Sequence, residues 1–76
     1  MELRKLDSRT KVVVDLLNKY GCLTGEDMRR MGIKDFGIDM GAATYRSIAS
    51  NLERKGICGS SRNEHNKKVF WLIKED

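Results

Sequence analysis

The sequence has few of the residue types from which catalytic and metal sites are built. It contains one histidine and two cysteines, and Cys22 and Cys58 are too far apart for a Cys-x-x-Cys metal motif. It has no glycine-rich phosphate-binding loop, no paired carboxylates in an apolar setting and no nucleophile motif. We therefore predict that the protein is not an enzyme, that it holds no metal ion or cofactor, and that His65 lies in an exposed loop.

Long apolar runs are also missing. No stretch approaches the ~20 apolar residues of a membrane span, and residues 1–7 lack the apolar centre of a secretion signal. These absences predict a cytoplasmic protein with no membrane partner, associated with the nucleoid if the source is bacterial, archaeal or viral. A disulfide is possible from the cysteine count alone, but in the cytoplasm we expect two buried free thiols.

The composition that remains is typical of one small globular domain. The sequence has no proline, no internal repeat and no low-complexity segment, with 39% hydrophobic and 34% charged residues. We expect a single domain over residues 1–76, with a polar lead at 1–7 and a polar tail at 74–76. The net charge is +4, and residues 41–68 hold six basic and only two acidic residues. This distribution, more than the total, favours a nucleic-acid partner.

Apolar spacing predicts three helices. The first spans residues 9–20, the second spans 25–31 after a Thr24 cap and stops at Gly32, and the third spans 41–55. Their buried sides are expected to hold residues at helical spacing: Val13, Leu16, Leu17 and Tyr20, then Met28 and Met31, then Tyr45, Ile48, Ala49 and Leu52.

A packed loop and a hairpin complete the predicted elements. Glycines and aspartates break regular structure over 32–41, where Asp39 is a candidate helix cap. Strands over 57–60 and 68–73 are joined by an apolar-free segment at 61–67. Apolar side chains in the loop are expected to pack on the domain: Ile33, Phe36, Ile38 and Met40.

The order of these elements resembles the winged helix-turn-helix family. Gly21-Cys22-Leu23-Thr24 is similar to the family's "G-x-L-T" after the first helix, and residues 27–32 resemble its second helix. Residues 44–57 resemble the recognition helix with its common ending "L-E-x-K-G-L/I", and residues 67–72 resemble the return strand of the wing. The resemblance implies an α+β fold of three helices followed by a two- to three-stranded antiparallel β-wing.

The outer face of the third helix carries small and hydrogen-bonding side chains and no acid, which suits a DNA groove as well as an ordinary exposed face. The resemblance implies a small transcriptional regulator that places helix 41–55 in the major groove of double-stranded DNA and wing 60–68 on the backbone or minor groove. Arg46 would pair with guanine, and Asn51 with adenine or a phosphate. The candidate DNA-binding residues are Ala43, Thr44, Arg46, Ser47, Ser50, Asn51, Arg54, Arg62, Asn63, His65, Lys67 and Lys68.

A second hypothesis is a winged-helix protein-interaction module, an adaptor or inhibitor that binds no DNA. If Phe70 faces the helices, strand alternation places Trp71 on the opposite face of the sheet, where an apolar stripe needs a cover. That cover would come from Leu3 and Leu6, from a second copy of the chain in a homodimer, or from another protein. A basic band that joins Arg46 to the wing favours DNA, whereas an acid that interrupts the band favours protein.

Overall fold

The computed structural model describes residues 8–73, in which three helices pack on a small sheet. The predicted polar lead and tail, and the proposed cover by Leu3 and Leu6, lie outside these residues. The order of elements is α1 (Ser8–Tyr20), β1 (Cys22–Thr24), α2 (Gly25–Phe36), α3 (Ala42–Arg54), β2 (Cys58–Arg62) and β3 (Lys68–Leu72). The predicted α+β architecture is confirmed, with three strands in the sheet.

The sheet is antiparallel in the order β1-β3-β2, so β3 is its central strand. Phe70 pairs with Leu23 of β1 and is fully buried against the helices, as alternation predicts. Trp71 lies on the opposite face, where a Cβ built on its strand partner Gly59 would lie 2.8 Å from the indole. The indole is therefore half-buried over the backbone of β2, and only glycine leaves room for it.

The core lies between the three helices and the inner face of the sheet. Its largest fully buried side chains are Tyr45, Phe70, Leu16, Leu17, Met28 and Leu52. The hydroxyl of Tyr45 donates a hydrogen bond to the Ile38 carbonyl oxygen at 3.3 Å, and burial raises the pKa of Tyr45. The side chains of α3 that are buried in the core are therefore among those that the apolar spacing predicted.

The second helix is longer than predicted. Gly32 does not end it but lies buried in its interior, where a Cβ would overlap the Tyr45 hydroxyl. Gly37 ends the helix instead, with a left-handed φ of 67° and an N–H that donates to the Ile33 carbonyl at 3.0 Å. The prediction was wrong because either glycine satisfies the local pattern for a helix end.

The extended helix also changes which side chains are buried. Ile33, Phe36 and Ile38 were expected to pack, but they are 42, 44 and 36% exposed. Ile33 lies about 100° around the helix from buried Gly32, so continuing the helix turns it outward. Met40 does pack against the core, as expected.

Three further corrections concern the burial or the role of single side chains. Tyr20 is 37% exposed rather than buried, and its hydroxyl donates to Asp35 Oδ2 at 2.6 Å. Asp39 is not the cap of α3, which begins after Gly41, but its carboxylate accepts the Gly41 N–H at 3.1 Å. Both cysteines are free thiols, yet only Cys58 is buried, which raises its pKa to about 11, and Cys22 is exposed.

Candidate nucleic-acid interface

The outward side of α3 is a row of four predicted site residues. Tyr45, Ala49 and Leu52 are buried, and exposed side chains recur three or four positions apart on the opposite side of the helix. We call these exposed residues the outer row: Ala43, Ser47, Asn51 and Arg54. The row contains no acid. Small residues stand toward the start of the helix, and the longer polar residues stand toward its end.

Arg46 lies on the side of α3 that faces the wing, with Ser50 one turn further along. Its aliphatic stem packs on Gly25, where α2 begins, since a Cβ there would overlap Arg46 Cγ. A hollow of about 290 Å³ opens at this point, and we call it the wing-side hollow. It is lined by Thr24, Gly25, Glu26, Arg46, Lys67 and Lys68. Three cations thus meet at the positive end of a helix, with one acid among them.

Glu53 ties α3 to the wing. Its carboxylate accepts a hydrogen bond from the Ser60 hydroxyl at 2.7 Å and lies 3.2 Å from the Lys68 ammonium. The Ser60 hydrogen bond, followed by the Lys68 contact, lowers the pKa of Glu53. A lowered carboxyl pKa means that this tie is present at neutral pH and weakens as the pH falls through that pKa. The charge of Lys68, a predicted DNA contact, is therefore already shared with an acid.

The tip of the wing is a tight turn closed by Asn63. The side-chain oxygen of Asn63 accepts the N–H groups of His65 at 2.9 Å and Lys67 at 3.0 Å. Asn66 adopts a left-handed φ of 61°, and its carbonyl accepts a hydrogen bond from Arg62 at 2.9 Å. The predicted contacts Arg62 and Asn63 therefore also build the turn. His65 is exposed beside a glutamate, 3.6 Å from its carboxylate, whereas the Lys67 ammonium has no ion-pair partner within residues 8–73.

A second hollow lies on the opposite side of α3, against the first turn of α1. It measures about 520 Å³, and we call it the α1-side hollow. It is lined by Arg9, Thr10, Ala43, Thr44, Ser47, Ile48, Asn51, Leu52 and Lys55, with no acid among them. Sequence reasoning missed Arg9 and assigned Lys55 only to the helix end. No local pattern links Arg9 to the third helix, because only the fold brings them together.

Among residues 8–73, no group of three or more His, Cys, Asp or Glu side chains could hold a metal ion. Within that part of the chain, no helix is both long and apolar enough to cross a bilayer. Glu26 in the wing-side hollow and Glu53 beside Lys68 partly interrupt the basic band from Arg46 to the wing, and by the criterion drawn from the sequence this interruption favours a protein partner.

Comparison with solved structures decides the fold. RosR of H. salinarum superposes with a TM-score of 0.79 at 17% identity over 95% of this chain and 64% of its own. The ferric uptake regulator Fur of Vibrio cholerae superposes with a TM-score of 0.76 at 20% identity over 93% of this chain and 55% of its own. The chain has the winged helix-turn-helix fold.

Other comparisons set the extent of this likeness. BpsR of Bordetella bronchiseptica, whose DNA binding is regulated by 6-hydroxynicotinic acid, has a TM-score of 0.70 at 24% identity, covering 91% of this chain and 46% of its own. The winged helix thus spans less than two thirds of the length of each of these three proteins. No protein-family model and no curated protein sequence matches the chain. The predicted fold is confirmed, with α3 as its third helix.

Proposed function

We propose that the protein is a DNA-binding transcriptional regulator that places α3 in the major groove. The observation that carries the proposal is the acid-free outer row of α3, bordered by cations on both sides. An α-helix with its side chains is about 10–12 Å across, and the major groove of B-DNA is about 12 Å wide. A helix seated there presents its outer row to base edges and its two sides to the bordering phosphates.

The outer row suits close approach followed by base reading. Ala43 and Ser47 are small, so the first turns of α3 can approach the base edges, where a long side chain would hold them apart. Asn51 is exposed and presents both a donor and an acceptor, the pair that adenine matches in the major groove. Arg46 and Arg54 supply the two guanidinium groups on this surface.

The wing-side hollow suits the phosphate backbone. Arg46 and Lys67 converge there at the first turn of α2, where the positive end of the helix dipole favours an anion. The Glu53 tie holds the wing at a set position beside α3, so both elements can contact one duplex. The structural neighbours support this proposal, since Fur of V. cholerae has DNA-binding domains and BpsR binds DNA.

Salt titration of duplex binding tests the proposal. We expect fluorescence anisotropy with a mixed-sequence duplex to give a steep negative slope of log affinity against log salt, because phosphate contacts release counterions. Lys67→Gln should reduce that slope by about 0.9, the value for one phosphate contact, on all sequences alike. Lys34→Gln, an exposed lysine of α2 that lines neither hollow, is the matched control. Absence of binding to any duplex at low salt would contradict the proposal. If the protein binds, selection from a random duplex library identifies its preferred DNA sequence.

A second candidate function is protein recognition, because large apolar side chains are exposed at the end of α2. Ile33, Phe36 and Ile38 are 42, 44 and 36% exposed and lie close together in sequence. Contiguous exposed apolar side chains mark protein contact sites. The outer sheet face with Trp71 offers less apolar surface, because its indole is half-buried over Gly59.

Sedimentation of the purified chain tests this second function. We expect the purified chain to associate with a second copy as its concentration rises, or a pull-down to recover one other protein in stoichiometric amount after nuclease treatment. Phe36→Asp should abolish either association. Ile73, 48% exposed at the end of β3, serves for comparison, since Ile73→Asp alters the region of the sheet face and leaves α2 intact. This function would be excluded if the chain sediments as a monomer at every concentration and recovers no other protein after nuclease treatment.

A further inference from the structure

The α1-side hollow contains a pair of cations that the proposed function does not yet use. Arg9 comes from the first turn of α1 and Lys55 directly follows the last turn of α3, and both side chains are exposed. Within residues 8–73, no acid lines the hollow and neither cation has an ion-pair partner. In the wing-side hollow, by contrast, Lys68 is paired with Glu53. Each side of α3 therefore has two cations without an ion-pair partner among the described residues, and only the α1 side has no acid in its described lining.

Helix geometry places this pair opposite the wing. At about 100° per residue, Lys55 lies half a turn around α3 from Arg46. The outer row lies between these two directions, because Ser47 and Asn51 are about 80° and about 40° from Lys55, the nearer of the two cations. A helix that presents its outer row to base edges therefore has Arg46 toward one border of the groove and Lys55 toward the other.

We propose that Arg9 and Lys55 form a second phosphate-binding flank, which contacts the DNA strand opposite to the one held by the wing. This inference rests on the proposed function, because it assumes that α3 occupies the major groove. The two borders of that groove are the phosphate rows of the two strands, so a cationic flank on each side holds both strands. Arginine can bind a phosphate through two parallel N–H groups, and lysine binds it as a point charge.

The lining of the hollow fits a backbone better than a base or a free ligand. Thr44 and Ser47 add short hydroxyl side chains to the lining, which suits phosphate and sugar oxygens. Buried Leu52 and half-buried Ile48 form its floor, so the hollow has apolar depth but no buried polar group that would orient a small molecule. The hollow therefore offers positive charge and a concave surface to a phosphate backbone, and its only groups that could read a base are those of the outer row.

Neutral substitution with salt titration tests the flank. Arg9→Gln and Lys55→Gln should each reduce the slope of log affinity against log salt by about 0.9, and the double variant by about twice that, on every duplex sequence. Lys11→Gln is the matched control, because Lys11 is exposed on α1 about 200° around from Arg9 and outside the hollow. Lys67→Gln reports the wing-side flank in the same assay. Circular dichroism melting of each variant should match that of the wild type, since all four side chains are exposed.

Neutral methylphosphonate linkages placed one at a time in the duplex locate the contact. In the wild type we expect two sets of sensitive phosphates, one on each strand. The double variant should lose its sensitivity on one strand only, and Lys67→Gln on the other. If the wild type binds no duplex, the proposed function fails; if it binds and Lys67→Gln lowers the slope while the Arg9 and Lys55 variants behave like Lys11→Gln, only the second flank is overturned.

Discussion

Replacing Gly32 with alanine should destabilise the protein by ~1–3 kcal/mol, the usual range for overpacking a core. The result runs against helix propensity, since alanine is about 1 kcal/mol more favourable than glycine inside a helix. Gly32 is buried where α2 crosses α3, and an added Cβ would overlap the Tyr45 hydroxyl and lie 2.9 Å from its ring carbon Cζ. Tyr45 is fully buried, so its ring has no free space into which to move.

Urea denaturation measures the effect, and a double-mutant cycle assigns it to the contact. Tyr45→Phe removes the hydroxyl that the new Cβ would overlap, so Gly32→Ala should cost less in that background than in the wild type. The Cζ contact at 2.9 Å remains, so the rescue should be partial. A Gly32→Ala protein as stable as the wild type would show that α2 and α3 separate freely. If Gly32→Ala lowers the free energy of unfolding equally in both backgrounds, the destabilisation does not come from overlap with the Tyr45 hydroxyl.

Gly32 also shows where sequence reasoning reaches its limit. A glycine after an apolar helical pattern indicates a helix end, and both Gly32 and Gly37 meet that description. What distinguishes them is non-local, since Gly32 lies against Tyr45 of the next helix whereas Gly37 has open space around it and a φ of 67°. Without the packing of α2 on α3, the pattern cannot show which glycine makes room for a side chain.

The elements with strong local patterns were predicted well. The third helix was expected over 41–55 and is observed as Ala42–Arg54, because its apolar spacing is regular over its whole length. The burial of Phe70 follows from strand alternation in the same way. Arg9 is the opposite case. Its place beside α3 depends on how α1 packs, so the sequence contains no signal for the second flank of the candidate interface.

Arg46→Ala should weaken binding to the preferred duplex by ~1–3 kcal/mol and relax the sequence preference at one base pair, as the loss of a bidentate guanine contact does. The stem of Arg46 lies against Gly25, so its guanidinium extends from a supported position at the edge of the outer row. A supported side chain loses less conformational freedom on binding, which favours a specific contact. Competition between the selected duplex and single-base variants measures the preference. Arg30→Ala, an exposed arginine of α2 outside both hollows, is the matched control.

Arg46→Lys separates base reading from phosphate binding, because lysine retains the charge but loses the planar two-pronged donor. If Arg46 reads guanine through both prongs, Arg46→Lys should keep the salt slope of the wild type while losing preference at the same base pair as Arg46→Ala. If Arg46 instead holds a phosphate in the wing-side hollow, lysine should restore affinity on all sequences, and only Arg46→Ala should lower the slope, by about 0.9. The second result would indicate that Asn51 and Arg54 read the bases and that Arg46 binds phosphate beside Lys67 in the wing-side hollow. Because only a phosphate contact releases a counterion, the two outcomes differ in the salt slope of Arg46→Ala even where they agree in its affinity.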